Sequence, residues 1–471
     1  MSAELILGSN RGTIEAPAGC GKTHAIVDAL AYPSTKPYLV LTHTTAGVAA
    51  LRKRLLDANV PAKNYVLSTI DGWSVRVANS FVQNCNIVSP IENPRTYYPE
   101  LRKVVSRYLA SGSLHDALRA SYSRLIVDEY QDCNLEQHSI VGSIAQCIPT
   151  SILGDPMQLI FNFRGSVIPD WQSEVLNSFP LITTLSTPWR WQNAGNPALG
   201  EWILECRRRL ITGNSIDLSG SPDSVAHVQL SKNHQQNMRL KSNAQYQLRK
   251  AYPQERLLVI GDSVNANSRH LYASQNNGID VVEPVDLRDL VAFSGRLDVE
   301  TGESLARCLI DGFGSMASGL GASTWMPRIK SILAGTNRNL PNPTEIALLT
   351  FVHSKSAKDL LSLMHSIEGD DNIRIYRRAA FKALHSAINS VSCSLSLTYE
   401  EAMKLSRENL RQRGDSRVPN LAIGSTLLLK GLEAEHCLVI DTSGMNSQNI
   451  YVAFSRGAKT LTVASQSGVF P

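Results

Sequence analysis

The sequence predicts an α/β chain built on two doubly wound parallel sheets with small, mainly helical insertions. Three observations carry that expectation. Short apolar strands alternate with amphipathic helices from residue 12 and again from residue 257. A glycine-bearing loop, Ala16-Pro-Ala-Gly-Cys-Gly-Lys-Thr23, follows the first strand, and an acidic run, Asp128-Glu-Tyr-Gln-Asp132, follows a later one. Open parallel sheets bind their ligands at the carboxyl ends of the strands, which is where both runs fall.

Taken in order, the expected elements are strand 12–16, helix 22–31, strand 38–42, helix 45–57, strand 66–70 and a helix from 72. Pro90, Pro94 and Pro99, followed by a helical pattern over 101–109, interrupt the alternation, so 81–122 reads as an inserted subdomain. The sheet resumes at 125–127, 151–154 and 181–185. A second alternating region opens at 257–260, is broken by a mainly helical stretch, and returns at 421–429, 437–441 and 460–464. The segments 312–323 and 341–343 read as loops within that stretch. The domain division that follows is 1–80 with 120–192 as the first domain and 81–119 as its insertion. Residues 193–286 with 419–471 form the second, and 287–418 is the second insertion.

The loop 16–23 has the chemistry of a polyphosphate cradle. Gly19 and Gly21 let backbone N–H groups close around phosphate oxygens, and Lys22 reaches the β/γ oxygens. The hydroxyl of Thr23 is placed to hold Mg²⁺ where the next helix begins. The general pattern has glycine where Ala16 stands. At the end of strand 125–127 two adjacent carboxylates divide the labour of hydrolysis: Asp128 holds the metal through its water shell, and Glu129 orients and deprotonates the attacking water. Alone, the acidic run would read as a solvated turn. Beside Lys22 it reads as the other half of an ATP site.

Bulk properties narrow the field less. The 471 residues are too many for one ordinary core. Charged residues make up 18 % and the net charge is +5, which permits a polyanion partner without requiring one. Eight cysteines show no C-x-x-C pair and no Cys/His cluster at zinc spacing, as expected of reduced thiols in a cytoplasm. No segment has the length of a membrane span and the N-terminus lacks a signal-peptide pattern, so no membrane partner is expected.

The order of these motifs resembles that of the superfamily 1A DNA helicases of the UvrD/Rep/PcrA type, from residue 13 nearly to the end. The loop 16–23 fits the family form A-x-A-G-x-G-K-T, and 128–132 fits its D-E-x-Q-D box. Residues 41–54 look like motif Ia, and 68–73 like motif Ib. The run Gly154-Asp-Pro-Met-Gln-Leu-Ile-Phe-Asn-Phe-Arg164 is similar to motif III, Leu185-Ser-Thr-Pro-Trp-Arg190 to motif IV, 424–433 to motif V and 451–457 to motif VI.

The resemblance implies two RecA-like P-loop domains hydrolysing ATP at the cleft between them, with Mg²⁺. It assigns nucleotide contacts to Ala18, Gly19, Cys20, Gly21, Lys22, Thr23 and His24, adenine stacking to Trp189, and the ribose to Glu433. It further implies a γ-phosphate sensor at Gln158, an arginine reaching that phosphate at Arg190, and an arginine finger from the second domain at Arg456. Contacts to single-stranded DNA fall to Thr42, His43, Thr69, Trp73, Phe161, Phe163, Arg164 and Ser425. Aromatic faces suit that role because stacking does not read sequence.

Departures from the family pattern matter too. No glutamine-bearing motif precedes the phosphate loop, and Leu427 stands where motif V has a DNA-contacting histidine. Both insertions are short, and the chain ends soon after motif VI. The triplets 52–54 and 207–209 read as solvated basic faces. The expected activity is a 3′ to 5′ translocase or helicase on single-stranded or 3′-tailed duplex DNA. The trimmed form resembles short UvrD-like proteins that accompany a nuclease partner in anti-phage defence. A DNA-stimulated regulatory ATPase subunit that controls a partner is the alternative, and a simple P-loop kinase a distant third.

Overall fold

A computed structural model describes residues 2–91, 93–160, 167–284, 286–394, 396–413 and 419–471. The chain divides into two compact units, the first comprising 1–225, 445–460 and 468–471 and the second 226–444 and 461–467. The first unit therefore runs past residue 192 and takes in 445–460, segments that the sequence grouped with the second domain.

The first sheet holds strands β1 (Arg11–Glu15), β2 (Tyr38–Thr42), β3 (Tyr65–Thr69), β4 (Leu125–Val127), β5 (Thr150–Gly154) and β6 (Leu181–Thr184). Their order is β3-β2-β4-β5-β1-β6, and every pairing is parallel. Strands β2, β4 and β5 are buried along their whole length, as expected of a sheet covered on both faces. Because β5 lies between β1 and β4, the segments leaving these three strands emerge side by side. The register pairs Glu15 with Gly154 and Val127 with Ile152.

Helices cover both faces. On one side Ile26, Leu30, Leu51 and Leu55 pack with Ile14, Val40, Ile126 and Leu153; on the other Trp73, Leu101, Val105 and Ile140 pack with Leu39, Leu41, Val127 and Ile152. The interval 81–122 supplies helices Pro94–Ala110 and His115–Ser121 to that second face. Arg102 holds it there, with Nε 2.7 Å from Asp71 Oδ1 at the start of helix Ile70–Ser80.

The second sheet holds β7 (Val225–Gln229), β8 (Leu257–Ile260), β9 (Asp280–Val281), β10 (Leu421–Gly424), β11 (Ala434–Val439) and β12 (Gly457–Ser465), in the order β9-β10-β8-β11-β12-β7. The pairings from β9 through β10 and β8 to β11 are parallel. Two six-stranded sheets with flanking helices match the expected pair of RecA-like domains. Strand β10 stops at Gly424, short of the expected 429, where Ser425 opens a turn by accepting from Leu428 N.

Between β9 and β10 the insertion is helical around one apolar core that includes Leu309, Phe313, Phe351, Leu363, Phe381 and Met403. Here 312–323 is not one loop. Helix Gly302–Gly314 runs into it and helix Ala322–Leu333 begins within it. Proline 343 is the first residue of helix Pro343–Ser354, whose start Asn342 and Glu345 close as a reciprocal cap. At the sheet edge Arg377 is 1 % exposed and donates to both oxygens of Glu283 at 2.7 and 2.8 Å and to Asp289 at 2.6 Å.

Candidate active site

The phosphate loop leaves β1 at Ala16, whose N–H donates to Gly154 O at 2.8 Å. Gly19 and Gly21 adopt φ of +71° and +86°, a left-handed region open to glycine, just before helix Lys22–Ala31 begins. A Cβ on Gly19 would lie 2.6 Å from the Trp191 ring, so glycine is required there by space as well as by φ. Cys20 is buried, and burial pushes its thiol up to about 12, so it is a neutral filler of the loop. His24 is exposed and lies 3.4 Å from Asp28 one turn on.

Lys22 meets the acidic pair directly. Its Nζ lies 2.9 Å from Asp128 Oδ1 and 2.6 Å from Glu129 Oε1. Burial works against the ammonium, but the two carboxylates more than offset it and hold its pKa above the ordinary lysine value. Burial also pushes the Asp128 carboxyl up, with the Lys22 charge pulling against it. Glu129 sits at φ +54°, an uncommon conformation for a residue with a side chain, which turns it back towards the loop. Gln131 Nε2 donates to Glu129 Oε2 at 2.6 Å, and Gln131 Oε1 accepts from Asp155 N at 3.0 Å.

Asp155 begins the segment that leaves β5 and is fully buried. Its Oδ2 accepts from Gln158 Nε2 at 3.1 Å, which places Gln158 beside the acidic box. Its Oδ1 accepts from Arg207, which also pairs with Glu15 just ahead of the phosphate loop. Arg207 was expected on a solvated face; instead it is 5 % exposed. The signal was present, since Leu199, Ile203 and Arg207 recur every four residues along helix Pro197–Ile211 and share its buried face. Arg208 and Arg209 do fit the expected outward reading: Arg208 pairs with Glu205 and Arg209 donates to Ser215 O at an exposed position.

Motifs IV and VI meet within the first unit. Trp189 is half-exposed beside Gly21, where an added Cβ would stand 3.0 Å from its ring. Arg190 Nη1 donates to Ser455 O at 2.5 Å, Arg456 Nη2 donates to Ser455 Oγ at 2.9 Å, and Trp191 Nε1 donates to Gly457 O at 2.8 Å. Arg456 was expected to come from the second domain. It lies in the first unit because helix Ser447–Phe454 buries Ile450 to Phe454 there, with Phe454 stacked on Trp202 at 6.1 Å. Tyr451, on the same helix, accepts the N–H of Ala18 at 2.8 Å, a contact that the motif pattern did not indicate.

The residues expected to touch DNA are placed unevenly. Thr42 is buried, His43 half-buried, and Thr69 caps helix Ile70–Ser80 by accepting from Gly72 N at 2.9 Å. Trp73 is 3 % exposed and packs in the core with Leu101 and Val105, so its ring offers no face to a base. Phe161, Phe163 and Arg164 lie outside the described residues. In the second unit Ser425 is buried and Glu433 exposed. The Thr23 hydroxyl and the Asp128 carboxylate are hard oxygen donors, which fit Mg²⁺ together with water. Among the described residues no cluster of three His, Cys, Asp or Glu could hold a metal alone, and no helix is long and apolar enough to cross a membrane.

Residues 97–174 match the family described as UvrD/REP helicase N-terminal domain. No curated protein matches the sequence. Among solved structures the chain is similar to Arterivirus nonstructural protein 10, a helicase, in complex with DNA: identity is 8 %, TM-score 0.36, and 98 % of this chain and 62 % of that one are covered. A second structure of the arterivirus helicase gives 9 %, 0.30, 98 % and 61 %. The chain thus spans less than two thirds of that protein. Residues 97–174, which hold the acidic box and the turn from Gly154 to Gln158, are similar throughout to the UvrD/REP helicase N-terminal domain, and the resemblance to UvrD-like superfamily 1 helicases read from the motifs holds.

Proposed function

We propose that this chain is an ATP-dependent translocase or helicase that acts on single-stranded DNA and moves 3′ to 5′. The observation that carries the reading is the Lys22 ammonium held 2.9 and 2.6 Å from Asp128 and Glu129, at the mouth of a loop opened by two left-handed glycines. A cation, a metal-holding carboxylate and a base within one side chain's reach form the minimum set for hydrolysing a phosphoanhydride. Lys22 exchanges its carboxylate partners for β/γ oxygens when nucleotide enters. Glu129, freed from that contact and still held by Gln131, takes the proton of the attacking water. Gln158 orients towards the γ-phosphate, and Arg190 and Arg456 supply positive charge to it. Thr23 and Asp128 would hold Mg²⁺, which when bound neutralises charge on the phosphate oxygens.

The test measures ATP turnover with and without oligo-dT, alongside unwinding of duplexes carrying a 3′ or a 5′ tail. Stimulation by single strands together with opening of the 3′-tailed duplex supports the reading. Turnover and stimulation without strand separation would instead favour a DNA-sensing ATPase that regulates a partner. The short insertions support a role beside a nuclease in anti-phage defence, to be tested by co-purification with such a nuclease.

A further inference from the structure

We propose that Arg207 is a positioning residue for ATP hydrolysis, fixing through Asp155 the two side chains that face the γ-phosphate and the attacking water, Gln158 and Glu129. The inference rests on the ATP-hydrolysing reading above and extends it to a residue outside every recognised motif.

A guanidinium withdrawn from water costs several kcal/mol unless its donors are answered by good geometry. Arg207 is answered by two carboxylates, one at the end of β1 and one just beyond β5. Nε and Nη2 donate to Asp155 Oδ1 at 3.1 and 2.9 Å, and Nη2 also donates to Glu15 Oε1. One acceptor is the last residue of β1, directly ahead of the phosphate loop, and the other is the first residue after β5.

From Asp155 the contacts run to the chemistry in two branches. In the first, Oδ2 accepts from Gln158 Nε2 at 3.1 Å, while Oδ1 also accepts from Met157 N at 3.1 Å, which closes the turn carrying Gln158. In the second, Asp155 N donates to Gln131 Oε1 at 3.0 Å and Gln131 Nε2 donates to Glu129 Oε2 at 2.6 Å. Both ends of the Gln131 amide are thereby committed, and only one orientation of the Glu129 carboxylate satisfies it. Because β5 lies between β1 and β4, one buried cation can reach the segments on both sides. The second branch ends on Glu129, the carboxylate read above as the base.

The role separates from a structural one by its kinetic signature. Gln131→Leu cuts the branch to Glu129 and leaves the buried charges of Arg207, Asp155 and Glu15 in place. Arg207→Lys keeps the charge but cannot reproduce the forked contacts. Both variants should lower kcat by about 10- to 100-fold, the loss typical when a residue that orients a reacting group is removed, with KM for ATP changed by less than about threefold. Combined with Glu129→Gln, Gln131→Leu should lower the residual rate by less than about twofold, because residues acting as one unit are not additive. The relay is overturned if Gln131→Leu keeps more than about half of the wild-type kcat, loses activity only through KM, or is additive with Glu129→Gln. Should Arg207→Lys not fold, Arg207→Gln takes its place, and a folded variant at 207 that keeps more than about half of the wild-type kcat overturns the role of Arg207 whatever Gln131→Leu shows. A wild-type chain without any ATP turnover overturns the ATP-hydrolysing reading itself, and the relay with it.

Discussion

Beside its proposed role on nucleotide, Lys22 serves the folded chain, because its ammonium is the counter-charge of two carboxylates. Lys22→Ala should therefore abolish ATP hydrolysis, leaving below about a tenth of the normal rate, and should also destabilise the fold by about 1–3 kcal/mol at neutral pH. The pH dependence has a definite sign. Burial raises the Asp128 carboxyl and Lys22 opposes that rise, so removing Lys22 raises it further; the destabilisation exists only where Asp128 is ionised and fades as pH falls. Thermal melts of both proteins from pH 7 down to 5 would show the gap narrowing; a constant gap would mean that Asp128 is not the stranded charge. Glu129→Gln should keep nucleotide bound while turnover falls to a small residual rate, measured by retention of a fluorescent ATP analogue. If Arg456 has the proposed role on the γ-phosphate, Arg456→Ala should lose about 10³-fold in turnover with and without DNA, the scale of an arginine finger.

At the scale of elements, residues that repeat with a clear period were legible and those set by tertiary context were not. Strand β2 and helices Lys22–Ala31 and Thr45–Asp57 have the bounds that alternation predicts. Strands β7 and β9 escaped it, because β7 is largely exposed and lacks the continuous apolar run that marks β2, while β9 has only two residues. Helix Gly302–Gly314 was cut short because its closing glycines read as loop, although Ser315 caps it by donating to Asp311 and Gly312. The phosphate loop shows the opposite case, where glycine is obligatory. Gly19→Ala should cost about 1–2 kcal/mol from the left-handed φ alone and displace Trp191 as well, lowering both the melting temperature and nucleotide affinity. Unchanged affinity would show that the loop can open without that turn.

For the molecule as a whole, the motif order placed the acidic box, Lys22, Gln158 and Arg190 together in the first unit, because strand order brings the ends of β1, β5 and β4 side by side. Arg207 was read as part of a solvated basic face, and Gln131 and Tyr451 were given no role of their own within their motifs. Their roles depend on what β5 and helix Ser447–Phe454 pack beside, which no local spacing encodes. Coupling of hydrolysis to DNA is tested by Phe163→Ala, which should reduce stimulation by oligo-dT far more than basal turnover. A normal response would move the base-stacking role elsewhere. The second unit carries a separate pH sensitivity. Burial, then the nearby Arg377 and Arg269 charges, lower His270 to about 4, with Asp289 opposing. An unfolded histidine binds its proton near pH 6.5, so stability is full above that value and falls as pH drops from about 6.5 towards 4. His270→Asn should flatten this slope in denaturant titrations.

The hydroxyl of Tyr451 already occupies the Ala18 N–H at 2.8 Å, so that donor is not waiting in solvent for an anion. Burial keeps the phenol protonated and uncharged, which makes it a weak competitor and an easily displaced one. If this loop cradles phosphate as proposed, nucleotide entry is an exchange reaction, in which an oxygen of the incoming phosphate takes the Ala18 N–H from the phenol. Tyr451→Phe removes the incumbent and leaves the ring. Its mark should fall on the association rate of a fluorescent nucleotide in stopped flow, which should rise, while dissociation stays as it was.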